Sequence, residues 1–262
     1  MTNQNRKTAL VTGASSGIGK EMARIHAERG GDLVIVALEK ELLDELKTEL
    51  EKKYSTNVLA IAKDLTHPDA PQEVYNAVRD SGMRVDYLIN NAGFGGRGKF
   101  CERDWETDLN MIKLNVIALV ALTRFFLPDF VKRNSGRILN VSSTASLVPG
   151  PLMAVYYATK AFVAFFSNAV AEELHDTHVT VTTLMPGATD TEFPRIADVQ
   201  KMKMFDKPAN PRSVAQDGYD GMIAGKLDVI SGVAITERVM LALALFVPKK
   251  VRLKRVRRMH EV

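Results

Sequence analysis

Residues 8–19 read Thr8-Ala9-Leu10-Val11-Thr12-Gly13-Ala14-Ser15-Ser16-Gly17-Ile18-Gly19. A short apolar, strand-like run ends in a turn with three glycines, and a stretch of helical period follows at 18–29. Gly13 makes room for a tight turn that a Cβ would obstruct. Gly17 lets main-chain N–H groups approach a ligand, and Gly19 lets the helix pack close to the strand. Unpaired N–H groups and the helix dipole at such a point favour an anion, a pyrophosphate above all. The spacing is G-x-x-x-G-x-G, which is neither the common G-x-G-x-x-G nor a P-loop, since no Gly-Lys-Ser/Thr follows. By spacing alone, an ordinary glycine turn stays open.

The same alternation continues along the chain. Strand-like runs lie at 8–12, 33–37, 58–62, 87–90, 137–141 and 179–185, with a weaker one at 228–231. Helical stretches fall between them at 18–29, 40–54, 72–81, 105–132 and 158–175. Most of the strands hold continuous apolar runs, which suits burial on both faces. Strands alternating with helices over short connections imply an α/β fold, a doubly wound parallel sheet. Such a sheet takes ligands at the carboxyl ends of its strands, where strand order reverses. No repeat, low-complexity segment or Gly/Ser linker divides the chain. The expected organisation is one domain over 1–237, including a substrate lid near 190–210, and a tail at 238–262 that is not a separate domain.

Composition excludes several classes. Of 262 residues, 46% are hydrophobic and 25% charged, the mix of a globular chain able to bury a large core. The one cysteine, Cys101, rules out an intrachain disulfide and a thiolate-rich metal site. The polar start, Met1 to Lys7, is not a secretory signal. No clean apolar run approaches the ~20 residues of a bilayer span; the longest, 239–247, has nine. A soluble, cytoplasmic protein is the expectation. The formal charge of +4 is uneven: residues 238–262 carry eight basic residues and one acid, net +7, and the rest sums to −3. That acidic body argues against nucleic acid as a partner.

Further motifs stand in register with the glycine turn. They are Asn90-Asn91-Ala92-Gly93, Ser143 after the fifth strand, Tyr156-x-x-x-Lys160, and Pro186-Gly187 followed by Thr191. In order and spacing this set, with Thr12 to Gly19, resembles the short-chain dehydrogenases/reductases over roughly residues 6–225. The resemblance implies a single-domain Rossmann fold of about seven strands, a nicotinamide cofactor, and hydride transfer between an alcohol and a ketone or aldehyde.

Tyr156 and Lys160 are four apart in a helix-compatible stretch and share a face. Reducing a carbonyl needs a proton donor at its oxygen, and oxidising an alcohol needs the same group as a base. A phenol titrates near ~10, so a neighbouring ammonium and a positive nicotinamide are expected to lower it. By the resemblance, Tyr156 rather than Tyr157 is the acid/base, and Lys160 holds ribose hydroxyls. Ser143, thirteen residues before Tyr156, can donate to the substrate oxygen, while Ser142 should face the other way by the strand period. Asn115, inside an apolar helix, needs buried partners; its family counterpart perturbs the helix and binds a water linking the lysine to solvent. The resemblance also places Gly13, Ser15, Ser16, Gly17, Ile18, Gly19, Asn91, Ala92 and Gly93 against the cofactor. Asp64 and Leu65 match the adenine position, and Pro186, Gly187, Thr189 and Thr191 the nicotinamide segment. Asn90 more naturally ties strands together.

One feature departs from the family pattern. Cofactor choice is read at the end of the second strand, where an acid accepts from a ribose 2′-OH or an Arg pairs with a 2′-phosphate. Here the stretch is Val36-Ala37-Leu38-Glu39-Lys40. Ala37 stands in the place of the NAD-selecting Asp and Leu38 in that of the NADP-selecting Arg. Glu39 can bind a diol and Lys40 can meet a phosphate, or both can simply start the next helix. NADP is favoured slightly, with NAD open.

Apolar residues surround the expected substrate position. Phe193, Ile196, Met202, Met204 and Phe205 fall in the lid, Val148, Leu152 and Met153 precede Tyr156, and Phe94 follows the fourth strand. They suggest a hydrophobic alcohol or carbonyl compound, ketone, steroid-like or acyl-type. His175 and His178 lack a third ligand, so no metal is expected. The tail reads as a solvated helix end, a subunit contact, or a peripheral anchor on an anionic membrane surface. A homodimer or homotetramer through 105–132 and 158–175 follows by family analogy alone. A non-catalytic nucleotide-sensing or scaffold protein on the same fold is the rival, against which Ser143, Tyr156 and Lys160 all speak. A nucleotide-sugar epimerase or dehydratase would need a longer chain.

Overall fold

The structure, a computed structural model, describes residues 6–234, 236 and 247–261. Its strands are β1 (Thr8–Thr12), β2 (Asp32–Ala37), β3 (Val58–Ala62), β4 (Val85–Asn90), β5 (Gly136–Val141), β6 (Val179–Pro186) and β7 (Asp228–Ser231). They form one parallel sheet in the order β3-β2-β1-β4-β5-β6-β7, as the alternation predicts. The order reverses between β1 and β4, so their carboxyl ends open a crevice beside the glycine turn.

Among the described residues the helices are α1 (Gly17–Glu28), α2 (Lys40–Tyr54), α3 (Ala70–Asp80), α4 (Trp105–Ile112), α5 (Leu119–Lys132), α6 (Ala154–Glu173), α7 (Phe193–Ile196), α8 (Pro211–Ile223) and α9 (Lys249–His260). Because side chains alternate along a strand, neighbours feed opposite layers. Val11 and Ile35 pack with Met22, Leu43 and Tyr219 from α1, α2 and α8, whereas Leu10 and Val34 pack with Val74, Phe126 and Val170 from α3, α5 and α6. Burial of each such side chain is worth ~1.5–3 kcal/mol. A third, smaller cluster lies above the strand ends and joins Met111, Met153 and Tyr156 to Ala197, Val199 and Met202.

Several element readings change. The expected helix at 105–132 is interrupted by a π-helical stretch, Lys113–Ala118, centred on Asn115. By length and composition, Trp105–Lys132 is apolar enough to cross a membrane, with a mean hydropathy of 1.7 over its best window. Counting clean runs missed this because Lys113, Asn115, Thr123 and Arg124 interrupt the run without lowering the average much. In the fold, 39% of that window is buried, with Leu122, Phe126 and Phe130 packed in the core beside α3. The helix expected at 158–175 starts at Ala154, so Tyr156 lies in its first turn. Helix α8 was not expected. Its start is marked by Asn210, whose side chain accepts from the N–H groups of Arg212 and Ser213, and by Pro211. Most of the apolar run at 239–247 lies outside the described residues.

Candidate active site

The first turn of α1 faces the crevice. Gly13 and Gly17 have φ of +63° and +52°, conformations that L side chains rarely adopt. A Cβ on Gly19 would sit 2.3 Å from the Gly13 carbonyl oxygen, so helix and turn approach as closely as glycine permits. Ser16, the N-cap of α1, makes no side-chain cap bond, and no acid occupies the first turn. The helix end therefore offers its N–H groups and partial positive charge to a ligand.

The end of β4 is tied to this turn. Thr12 Oγ1 accepts from the N–H groups of Asn91 and Ala92, each at 3.0 Å. Asn91 Nδ2 donates to the carbonyls of Thr12 and Gly13 at 2.9 and 3.2 Å. Asn90 ties strands, donating to Asn140 at 2.9 Å and to Thr123 at 3.2 Å.

One cleft brings together most of the residues expected from sequence. Gly13, Ser15, Ser16, Gly17, Ile18, Asn91, Ala92 and Gly93 line one end, and Pro186, Gly187, Thr189 and Thr191 one side. Ser143, Tyr156 and Lys160 lie in the same cleft, with Phe94, Met153, Phe193, Ile196, Met202, Met204 and Phe205 beyond them. Val148 and Leu152 do not line it.

Other expected residues stand outside this lining. Gly19 lies beneath the turn, and Leu38, 63% exposed, sits at the rim after β2. Glu39 accepts from the Ser15 hydroxyl at 3.0 Å, while Lys40 pairs with Asp44 at 2.6 Å. After β3, the Thr66 N–H and hydroxyl both donate to Asp64 and hold its carboxyl below the usual range; Leu65 beside it is buried. Asn115 stands behind Gly93. It donates to the Phe94 carbonyl at 2.9 Å and to Thr159 at 3.1 Å, and accepts from the Phe94 N–H at 3.1 Å. The π-helical turn delivers this amide to the loop after β4.

Ser143 leaves β5 in extended conformation. Its Oγ accepts from the Ala145 N–H at 3.1 Å and lies 3.4 Å from the Pro186 carbonyl. Ser142 turns away and donates to the Lys160 carbonyl at 2.7 Å. On α6, Lys160 Nζ donates to the Val141 carbonyl at 2.9 Å and lies 6.0 Å from the Tyr156 ring centre.

Burial dominates the electrostatics of the pair. Burial pushes the Tyr156 phenol up to about 12, and the hydrogen-bonded Ser143 side chain opposes this only in part. Burial pushes Lys160 down to about 8. Desolvation disfavours the charged form of both groups.

Sequence reasoning missed an anchor from the far end of the chain. Tyr157, next to the acid/base candidate, shares its hydroxyl with His260 Nε2 at 2.8 Å, and His260 Nδ1 lies 2.7 Å from the Pro151 carbonyl. Both contacts are met by a neutral ring whose Nδ1–H donates and whose Nε2 accepts. No local pattern pairs residues 103 positions apart.

A family model for short chain dehydrogenases matches residues 7–200. The chain is 33% identical over 207 residues to a very-long-chain 3-oxoacyl-CoA reductase of Bos taurus, a match covering 77% of this chain and 64% of the relative's length. It is 34% identical over 230 residues to an NADP-dependent 3-hydroxy acid dehydrogenase of Schizosaccharomyces pombe, covering 82% of this chain and 86% of the relative. Among solved structures, a short-chain dehydrogenase from Sphingobium yanoikuyae in complex with NADPH superposes with a TM-score of 0.82 at 33% identity, covering 92% of this chain and 93% of that one.

Proposed function

The chain belongs to the short chain dehydrogenase family, and from that premise we propose that it reduces the carbonyl of a lipophilic, acyl-type substrate, or oxidises the corresponding alcohol, with a nicotinamide nucleotide. The observation that carries this reading is the convergence of Ser143, Tyr156 and Lys160 on one cleft with the glycine turn. A scaffold that only sensed nucleotide would not need all three.

The cleft suits a dinucleotide: α1 presents an uncapped N-terminus, and the close packing of Gly13, Gly17 and Gly19 lets main chain approach a pyrophosphate. Gly13 to Ile18 would hold the phosphates, Asn91 to Gly93 the adenosine side, and Pro186 to Thr191 the nicotinamide, which supplies or accepts hydride when bound. Lys160 would hold ribose hydroxyls. Ser143 Oγ donates to the substrate oxygen and fixes the carbonyl. Tyr156 holds a proton at its hydroxyl, delivers it to that oxygen in reduction, and takes it back in oxidation. The raised phenol keeps this proton across neutral pH, the resting state that reduction requires.

The lining of Phe94, Met153, Phe193 and Met202 favours an apolar chain. The names of the relatives support a 3-oxoacyl or 3-hydroxyacyl compound. NADP(H) is the preferred nucleotide, supported by Ala37 where a selecting carboxylate would stand and by the engagement of Glu39 with Ser15. Residues 190–210 serve as the substrate lid of a single domain, with the tail as its appendage. A homo-oligomer is supported by Ile117, Phe162 and Phe165, which are exposed. A cytoplasmic location is supported by Cys101, exposed and free.

Parallel titrations with NADPH and NADH, followed by nicotinamide fluorescence, test the reading. Tighter binding of NADPH is expected. Binding of neither nucleotide overturns the assignment.

A further inference from the structure

Met202 and Met204 line two clefts. One is the catalytic cleft beside Tyr156; the other lies between the lid and α9. The second is strongly basic: Lys201 and Lys203 come from the lid, and Lys254, Arg255 and Arg258 from α9. Its one acid, Glu261, is ion-paired with Arg257 at 2.8 Å.

These cations sit on an anchored element. His260, 1% exposed, closes α9 onto Tyr157 and Pro151 through its two ring nitrogens. Arg97 donates to the His260 carbonyl at 3.1 Å and to the Asp198 carbonyl at 3.2 Å, joining α9 to the lid. The basic residues are thereby held on the far side of Met202 and Met204, the two side chains that both clefts share.

A ligand matched to both clefts is apolar at one end and carries several negative charges at the other. Clustered Arg and Lys suit phosphate groups, with Arg able to bond bidentately. Resting on the acyl-type reading above, we propose that the basic cleft is the subsite for the phosphorylated carrier portion of a nucleotide thioester, a coenzyme A ester. The acyl chain then passes over Met202 and Met204 to place its carbonyl at Tyr156.

The test compares two esters of one 3-oxoacyl chain, the coenzyme A ester and the uncharged N-acetylcysteamine ester, on the full chain with NADPH. The coenzyme A ester is expected to show a kcat/KM at least about tenfold higher, carried by KM and shrinking with added salt. In the exposed pair K254E/R258E this ratio is expected to collapse towards one, with the melting temperature confirming that the variant folds. Equal KM for both esters in the wild type, or a variant that slows both alike, overturns the subsite. If neither ester turns over while a simple lipophilic ketone does, the acyl reading fails and the subsite with it. If the variant loses binding to phosphatidylserine vesicles but keeps its ester preference, the cations serve a lipid surface and the subsite is refuted. Preference for the same acyl chain on a carrier protein over coenzyme A also overturns it.

Discussion

Lys160 donates from Nζ to the Val141 carbonyl at 2.9 Å, which ties the ammonium to the end of β5 inside the candidate active site. This bond and the surrounding burial set how the lysine responds to pH. Burial brings its titration down to about 8, so the amine is charged below that pH and neutral above it. An anionic dinucleotide favours the charged form. The Kd for NADPH is therefore expected to be flat below about pH 7 and to rise some three- to tenfold towards pH 9.5, as linkage requires. Fluorescence titration across this range checks it, and Lys160→Met should flatten the curve. A flat wild-type curve would separate the lysine from nucleotide binding.

The bond between His260 and Tyr157 fastens α9 to α6 beside the cleft. His260→Ala leaves the Tyr157 hydroxyl and the Pro151 carbonyl without their partner. The cost is ~1–3 kcal/mol, a fall in melting temperature of about 2–10 °C. Because Tyr157 lines the cleft rather than bearing the reacting proton, KM for a lipophilic substrate should rise more than kcat falls. Tyr157→Phe should show the same split in milder form. Thermal melts and steady-state kinetics read both effects, and a loss confined to kcat would contradict this division of labour.

His26 provides a stability test away from the site. It is buried, with Nδ1 2.7 Å from the Tyr219 hydroxyl and Nε2 2.9 Å from the Lys7 carbonyl. Burial holds its titration below 6.5, and His260 is lowered for the same reason. Both contribute stability in full above pH 6.5. As pH falls below that value, the unfolded chain takes up protons that the folded chain resists, so stability declines. The melting temperature should drop by about 3 °C or more between pH 7 and 5, and His26→Gln should reduce that slope. The same pH dependence in the variant would show that His26 has no part in it.

The sheet was legible because its strands are buried on both faces: Leu10 and Val11, or Val34 and Ile35, feed opposite layers, leaving continuous apolar runs in the sequence. The cleft was legible because its parts follow strand ends. Helix α8 was not, since Gly218 and Gly221 break the apolar stripe that Val214, Ala215, Tyr219 and Met222 would otherwise show, although Asn210-Pro211 marked its start. The enclosure of Tyr156 was not legible, because spacing shows the nearby amine but not how deeply the phenol is buried. The contact between α9 and Tyr157 leaves no local trace, as it forms only when α9 packs back onto α6.

The central claim is that Tyr156 carries the proton exchanged with the substrate oxygen, and Tyr156→Phe tests it most directly. The variant keeps the ring's packing against Phe193, 5.1 Å between centres, and removes only the hydroxyl. NADPH binding should persist within about twofold while turnover of a 3-oxoacyl substrate falls ~10²–10⁴-fold, the usual range for a lost acid/base group. Turnover near the wild-type rate with nucleotide still bound would contradict the account.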